Sequence, residues 1–302
     1  MPNTTPSRRI RRIPLLLLLA AVAATGGRLC AQVETTTTDP FTAFLNAWTA
    51  TVHAAQESQP SWITPLATTT PRLEQEFRYD QDLETLIKGK GNIDVYDGGK
   101  GLEFIPTERT EVIISMPAYQ VRTGTEPSSG LNDWPGILVK YRLVSRNAAS
   151  GDYIVSLFAQ YGLPTGALVL TNHNDVFTPT LAAGKGFGDF DIQATIGEAI
   201  PVHDNSGAGR SVPTNITAQY HVSRLLWPEV EMNRTDWIGG QRGARTQTYI
   251  TPGLIVGRIV LSKGSKMILG VGYQTAVSRV YGPGPVTPTF NHNWILSARV
   301  TF

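Results

Sequence analysis

From residue 72 to the last residue, apolar and polar side chains alternate with a period of two, in segments of about ten residues that recur to the end. The length of these segments is the constraint. Strands of globular domains mostly run nearer five or six residues, whereas a tilted strand crossing a bilayer needs about 9 to 11. In Thr214 to Val222, the row Ile216, Ala218, Tyr220 and Val222 alternates with Asn215, Thr217, Gln219 and His221. Phe190, Ile192, Ala194 and Ile196 alternate with Asp191, Gln193 and Thr195, and Ile137, Val139, Tyr141 and Leu143 share a strand with Lys140 and Arg142. Met267, Leu269, Val271 and Tyr273 are set against Gly270, Gly272 and Gln274. Each such strand has one apolar face and one wet face.

The connectors carry a second signal. The pattern predicts strands at about 72–80, 93–105, 110–119, 136–145, 152–163, 178–185, 189–200, 214–222, 227–236, 249–260, 266–276 and 291–302, twelve in all. Connectors after the even-numbered strands are short: Pro106 to Arg109, Arg146 to Gly151, Gly186 to Gly188, Ser223 to Leu226 and Leu261 to Ser265. Those after the odd-numbered strands run to about 12 to 16 residues. Greek-key crossovers in a soluble sandwich would mix the two lengths. Short turns on one rim and long loops on the other instead predict an all-β fold, a transmembrane antiparallel up-and-down β-barrel of about 12 strands.

The last strand sets Trp294, Leu296, Ala298, Val300 and the terminal Phe302 against Asn293, Ser297, Arg299 and Thr301. A terminal aromatic after such alternation resembles the carboxy-terminal signal by which the barrel-assembly machinery takes up outer-membrane barrels. That machinery and outer-membrane lipid are therefore the expected partners.

The first 31 residues hold five Arg and no acid, with an apolar run from Ile13 to Ala24 that is too short to cross a bilayer as a helix. They read as a signal peptide, with cleavage near Ala31. The remainder carries 21 basic against 24 acidic side chains, which disfavours duplex nucleic acid as a partner. The single cysteine, Cys30, excludes a disulfide scaffold. Residues 32–71 form a separate segment, expected to be periplasmic, with the barrel occupying 72–302. Asp39-Pro40 is a good helix start, and Phe41, Phe44, Leu45, Trp48 and Val52 follow at helical spacing. The short helix packs against the barrel or serves as a plug or partner-binding arm over residues 41–57. Gln56 to Pro71 reads as linker.

Several strings resemble a Gram-negative family of proposed outer-membrane transporters named for the meta pathway of phenol degradation. They are Pro71-Arg72-Leu73-Glu74-Gln75-Glu76-Phe77, Thr110-Glu111-Val112, Leu163-Pro164-Thr165-Gly166, Thr180-Leu181-Ala182-Ala183-Gly184-Lys185-Gly186-Phe187-Gly188-Asp189-Phe190-Asp191 and Trp227-Pro228-Glu229-Val230-Glu231. The resemblance spans about residues 71–302. It implies a barrel in the outer membrane that moves small solutes, aromatic or hydrocarbon compounds among them, and it brings no catalytic residue or cofactor.

If the apolar rows face lipid, Glu111, Lys140, Arg142, Asp191, Gln193, Glu198, Gln219, His221, Glu229, Glu231 and Arg299 face inward. The lumen is then charged with both signs, and these groups either meet a solute or pair across the bore. Twelve strands enclose more room than eight and less than an open porin of sixteen, so a restricted path for a small solute is expected. Tyr79, Tyr119, Trp227, Tyr249, Tyr273 and Trp294 are candidates for the interfacial aromatic girdles. The alternative is a structural or adhesive barrel with a filled lumen, and a third reading is an outer-membrane enzyme using His203 or His292 with Ser206. Gly184 to Gly188 reads as a tight turn, since no helix follows it to make a phosphate cradle. Asn172-His173-Asn174-Asp175 carries metal-binding side chain types at a loop tip, but these are common in exposed loops, and the five scattered His residues, with no pair at ligand spacing, predict no metal site.

Overall fold

The computed structural model describes residues 39–86, 90–97, 100–171, 173–203, 207, 209–278 and 290–302. The signal peptide and Cys30 lie outside them. The described chain opens with one long helix, α1 (Pro40–Glu57). Strand segments follow: β1 (Glu76–Thr85), β2 (Asn92–Tyr96), β3 (Gly101–Thr107), β4 (Thr110–Ile114), β5 (Tyr119–Arg122), β6 (Ser128–Leu131), β7 (Trp134–Arg146) and β8 (Tyr153–Leu163). The second half supplies β9 (Val176–Phe187), β10 (Phe190–Gly197), β11 (Ile200–Pro201), β12 (Ser211–Tyr220), β13 (Leu226–Trp237), β14 (Arg245–Ser262), β15 (Ser265–Ser278) and β16 (His292–Thr301).

The sixteen segments make twelve staves. One end of β1 pairs with β3 and the other with β2, so β2 and β3 are two lengths of one interrupted stave. β4 and β5 continue one another in the same way, as do β6 with β7 and β10 with β11. All neighbours are antiparallel, and β1 meets β16 from Glu76↔Thr301 to Thr85↔His292, which closes the sheet. Closure removes the unpaired edges that an open sheet would expose.

The alternation read from sequence sets the faces. In β7, Ile137, Val139, Tyr141 and Leu143 are 43%, 38%, 45% and 42% exposed, while Leu138, Lys140 and Arg142 between them are buried. In β16, Trp294 and Leu296 are exposed and Asn293, Ser297 and Arg299 buried, and Phe302, directly after the strand, is exposed too. The same reversal of ordinary burial runs around the wall: large apolar side chains outside, ionic ones inside. Five tight connections gather at one rim, among them the turns at Gly188 and Gly264, whose φ values of +69° and +94° suit glycine.

Two elements differ from expectation. The first strand begins at Glu76 rather than near residue 72, because residues 72–75 belong to a segment inside the barrel. Helix α1 starts as predicted, with the Asp39 carboxylate accepting from the Thr42 N–H at 3.3 Å and Pro40 in the first turn. Its apolar stripe, however, is used only in part. Val52 and Ala55 pack with Leu73 and Ile105, Trp48 joins them and donates its indole N–H to the Ile105 carbonyl at 2.8 Å, whereas Phe41 and Phe44 are 66% and 62% exposed.

Candidate functional site

Nine of the eleven predicted lumen residues are buried: Glu111, Lys140, Arg142, Asp191, Gln193, Gln219, Glu229, Glu231 and Arg299. They are not scattered. Lys140 Nζ lies 2.8 Å from Glu111 and 3.9 Å from Glu103. On the opposite wall a chain of side chains crosses three staves. Gln193 donates to Asp191 at 3.0 Å and to Gln219 at 3.1 Å, Gln219 donates to Glu229 at 2.7 Å, and the Thr217 hydroxyl donates to Glu231 at 3.1 Å. His221 departs from this pattern. It sits half-exposed beyond the end of β12 and stacks on Trp227, with ring centroids 4.0 Å apart. Trp227 in turn is buried with Ile63, Leu66, Ile255 and Ile268, so it belongs to the lumen and not to an outer girdle. Its parity says the same, since it shares a row with Glu229 and Glu231. Glu198 is also displaced from the bore and pairs with Arg210 near the long-loop rim.

The segment expected to be a linker occupies the middle of this lumen. Residues 58–75 enter at the short-turn rim, where Ser145 and Asn147 donate to the carbonyls of Ser58 and Glu57 at 2.7 and 3.0 Å, and leave at the same rim into β1. Between those points the chain forms a U without regular structure. Its two limbs are tied to each other: the Gln59 side chain donates to the Leu73 carbonyl and accepts from the Leu73 N–H at 2.8 and 2.9 Å. Arg72 donates to the carbonyls of Pro60 and Trp62, and the Thr64 hydroxyl donates to Glu74 at 3.1 Å. Ile63, Leu66, Thr68, Thr70 and Leu73 are fully buried.

A buried irregular segment leaves amides and carbonyls that no ladder satisfies, and each one unpaired costs about 1–3 kcal/mol. Here the charged wall supplies the partners, sorted by sign. Carboxylates take the amides: Glu229 accepts from the Leu66 N–H at 3.1 Å, Glu231 from Ala67 at 2.7 Å and Thr68 at 2.6 Å, and Glu111 from Glu74 at 2.6 Å. Cations take the carbonyls: Arg299 donates to Thr64 and Pro65, Arg78 to Pro65 and Leu66, Arg258 to Ser61 and Trp62, and Lys140 to Arg72, while Arg142 reaches the Ala55 carbonyl in the last turn of α1. Ser156 and Gln193 add bonds of 2.7 Å each to Pro71 and Thr70. The mixed charge of the lumen therefore has a structural use. Sequence reasoning missed Arg78 and its partner Asp80, 2.7 Å away, although Glu76, Arg78, Asp80 and Asp82 alternate along β1 as plainly as any row.

Glycine in the wall makes room for the apolar side chains of the segment. A Cβ at Gly184 or Gly186 in β9 would lie 2.5 or 2.7 Å from the Trp62 ring. One at Gly257 in β14 would lie 2.2 Å from Ile63. Leu66 would be met at 2.6, 2.4 and 2.8 Å from Gly253, Gly270 and Gly272. Glycine inside a strand commonly marks such a close approach. Gly184 and Gly186 are thus slots within β9 and not turn residues; only Gly188 of that string turns the chain.

The filled waist leaves space on both sides. A cavity of about 320 Å³ toward the long loops is lined by Leu66, Arg78, Asp82, Lys100, Gln160 and Gln274, and one of about 200 Å³ toward the short turns by Trp62, Arg72, Glu74 and Arg258. The inner wall is less ionic than the predicted set implies, since Ile113, Leu138 and Phe158 form a buried apolar patch beside Lys140. Among the described residues no group of three or more His, Cys, Asp or Glu is arranged to hold a metal. His203 lies 3.9 Å from Asp175, and His292 lies 3.2 Å from the Thr275 hydroxyl. Ser206 and Asn172 lie outside the described residues.

No family model matches the chain, and no curated protein does. Among solved structures it is similar to an outer membrane channel from Pseudomonas putida F1, with 14% identity and a TM-score of 0.52 over 80% of this chain and 100% of that one. It aligns with the NanC porin at 7% identity and a TM-score of 0.47 over 74% of this chain and 98% of the other. The first likeness agrees with the fold described above: a closed antiparallel barrel of twelve staves.

Proposed function

We propose that this chain is an outer-membrane channel for small solutes, with the short-turn rim and α1 in the periplasm. One observation carries the reading: a closed wall with an apolar outer face surrounds an ionic lumen that holds a cavity on each side of a single filled waist. The solved Pseudomonas putida F1 protein, an outer membrane channel by its printed name, supports it through the shared fold. Planar-bilayer recording of refolded protein tests it. Discrete steps that a solute blocks are expected, and lasting silence overturns the reading.

The solute is the finer part of the proposal. The apolar patch of Ile113, Leu138 and Phe158 beside Lys140 suits a compound with an apolar body and a polar group, the aromatic class that the family resemblance implies. Liposome uptake of phenol or benzoate against a sugar of similar size is expected to favour the aromatic compound. The filled waist also favours a second reading, a structural barrel whose lumen never opens. For assembly, the exposed Trp294, Leu296 and Phe302 belong to the proposed recognition strand. Removing Phe302 is expected to lower the amount of folded barrel in outer-membrane fractions.

A further inference from the structure

We propose that residues 58–75 are a gate, a self-braced unit that withdraws from the waist toward the short-turn rim, and not a permanent filling. The inference rests on the channel reading and says what opens it.

Three observations lead there. The first is how the segment is held. Among the described residues, no backbone-to-backbone hydrogen bond joins residues 59–74 to any stave, and every bond between those residues and the wall runs through a side chain; the one backbone tie of the U, from the Phe302 N–H to the Gln75 carbonyl at 3.2 Å, sits at its hinge beside β1. Withdrawal therefore breaks no strand pairing. The bonds from Gln59 to Leu73 and from Arg72 to Pro60 lie within the U and travel with it.

The second is where the filling resides. A barrel built to stay full can fill its bore with wall side chains, as small barrels do. Here six wall positions are glycine, and the bulk that occupies the waist is Trp62, Ile63 and Leu66 on the segment itself. When the segment leaves, the filling leaves with it.

The third is what remains. The wall groups that lose hydrogen bonds, Arg78, Arg299, Glu229 and Glu231, are charged and take up water readily in place of the amides and carbonyls they lose. The cost falls on Trp62, Ile63 and Leu66 brought into water and on the wall side chains of Trp227, Ile255 and Ile268 that they leave uncovered, so the closed state dominates and opening is rare. Both ends of the U stay at one rim, and α1 remains held there through Trp48 and the bonds from Arg142 and Asn147.

The test uses the full chain in a Cys30→Ser background, refolded and reconstituted. Thr68 is fully buried at the deep end of the U, and its hydroxyl lies 3.4 Å from the Asn233 side-chain nitrogen. In the single variant Thr68→Cys, a water-soluble maleimide is expected to label slowly but to completion. Adding Leu66→Ala is expected to raise the rate at least about tenfold, because less apolar surface holds the gate closed. In the pair Thr68→Cys with Asn233→Cys, oxidation is expected to abolish conductance steps and a reductant to restore them. A Thr68→Cys thiol that never labels, with or without Leu66→Ala, or steps that persist in the oxidised pair, overturns the gate. Labelling without any conductance supports withdrawal and overturns the channel reading, so the two failures are separable.

Discussion

Residues 40–57 and 58–75 follow one another in the chain and settle their backbone bonds by opposite means. In α1 each amide past the first turn is paired within the helix, and the exposed ends are met by Asp39 and by the Ser58 hydroxyl, which donates to the Ala54 carbonyl at 2.8 Å. The helix can therefore stand half in solvent. The U that follows has no internal repeat, is buried along most of its length and depends on side chains from staves up to about 235 residues away, Arg299 to Thr64 being the longest reach. Regular structure makes a segment independent of its surroundings; irregular structure lets it match a particular cavity, at the cost of needing that cavity.

The largest expected effect breaks that dependence at one point. Glu231 accepts from two amides of the U and from the Thr217 hydroxyl. Glu231→Ala leaves all three without their acceptor and is expected to lower the unfolding free energy by about 3–5 kcal/mol, read by urea titration in detergent. A loss under about 1 kcal/mol would mean that the deep end of the U does not rely on the wall. Glu231→Gln keeps one acceptor oxygen and is expected to fall between.

Next in size is the apolar half of the same fit. Leu66→Ala empties the slot formed by Gly253, Gly270 and Gly272 and is expected to cost about 2–5 kcal/mol in the same titration. Filling the slot from the other side, with Gly270→Val, is expected to cost about 1–3 kcal/mol through overpacking, and the two changes together less than their sum.

The difference between the two regions also explains what could be read from sequence. Twelve staves, their facing and the sides of the turns were legible because alternation repeats in every strand, and a mistake in one strand would break the parity of the next. The start of α1 was legible because Asp39-Pro40 is a local signal. The U was not, because an irregular segment has no period and its partners lie far along the chain. Its traces were present but unpaired: inward glycines on β14 and β15, whose slots make sense only with Leu66 and Ile63 beside them, and a lumen of mixed charge with no stated counterpart. Proline and threonine between residues 58 and 71 look like an ordinary linker unless the wall that satisfies their carbonyls is known.

The N-cap gives a smaller effect confined to the helix. Asp39→Ala removes the acceptor for the Thr42 N–H and is expected to weaken the first turn by about 1 kcal/mol. Hydrogen exchange should register this in residues 40–44 and leave the barrel strands unchanged. Faster exchange throughout β1 and β16 would show that the helix and the wall fold as one unit.

The smallest effect sharpens the comparison most, because it separates two ends of one helical stripe. Phe44 lies on the predicted apolar stripe yet is 62% exposed, while Trp48, one turn later, packs over Leu73 and bonds to the Ile105 carbonyl. If burial and not the stripe itself carries stability, Phe44→Ser changes the unfolding free energy by no more than about 0.5 kcal/mol, and Trp48→Ala costs several times as much. The carbonyl and amide of Ile105 lie where the register of β3 against β4 is broken, and they are taken up by Trp48 and by Gln75, whose side chain accepts at 2.9 Å. Trp48→Ala therefore loosens the rim at the point where the U re-enters the wall, and faster exchange at Ile105 should accompany it. Equal losses for the two substitutions would mean that Phe44 is covered by something other than this chain, and that the independence of the helix holds only for half its length.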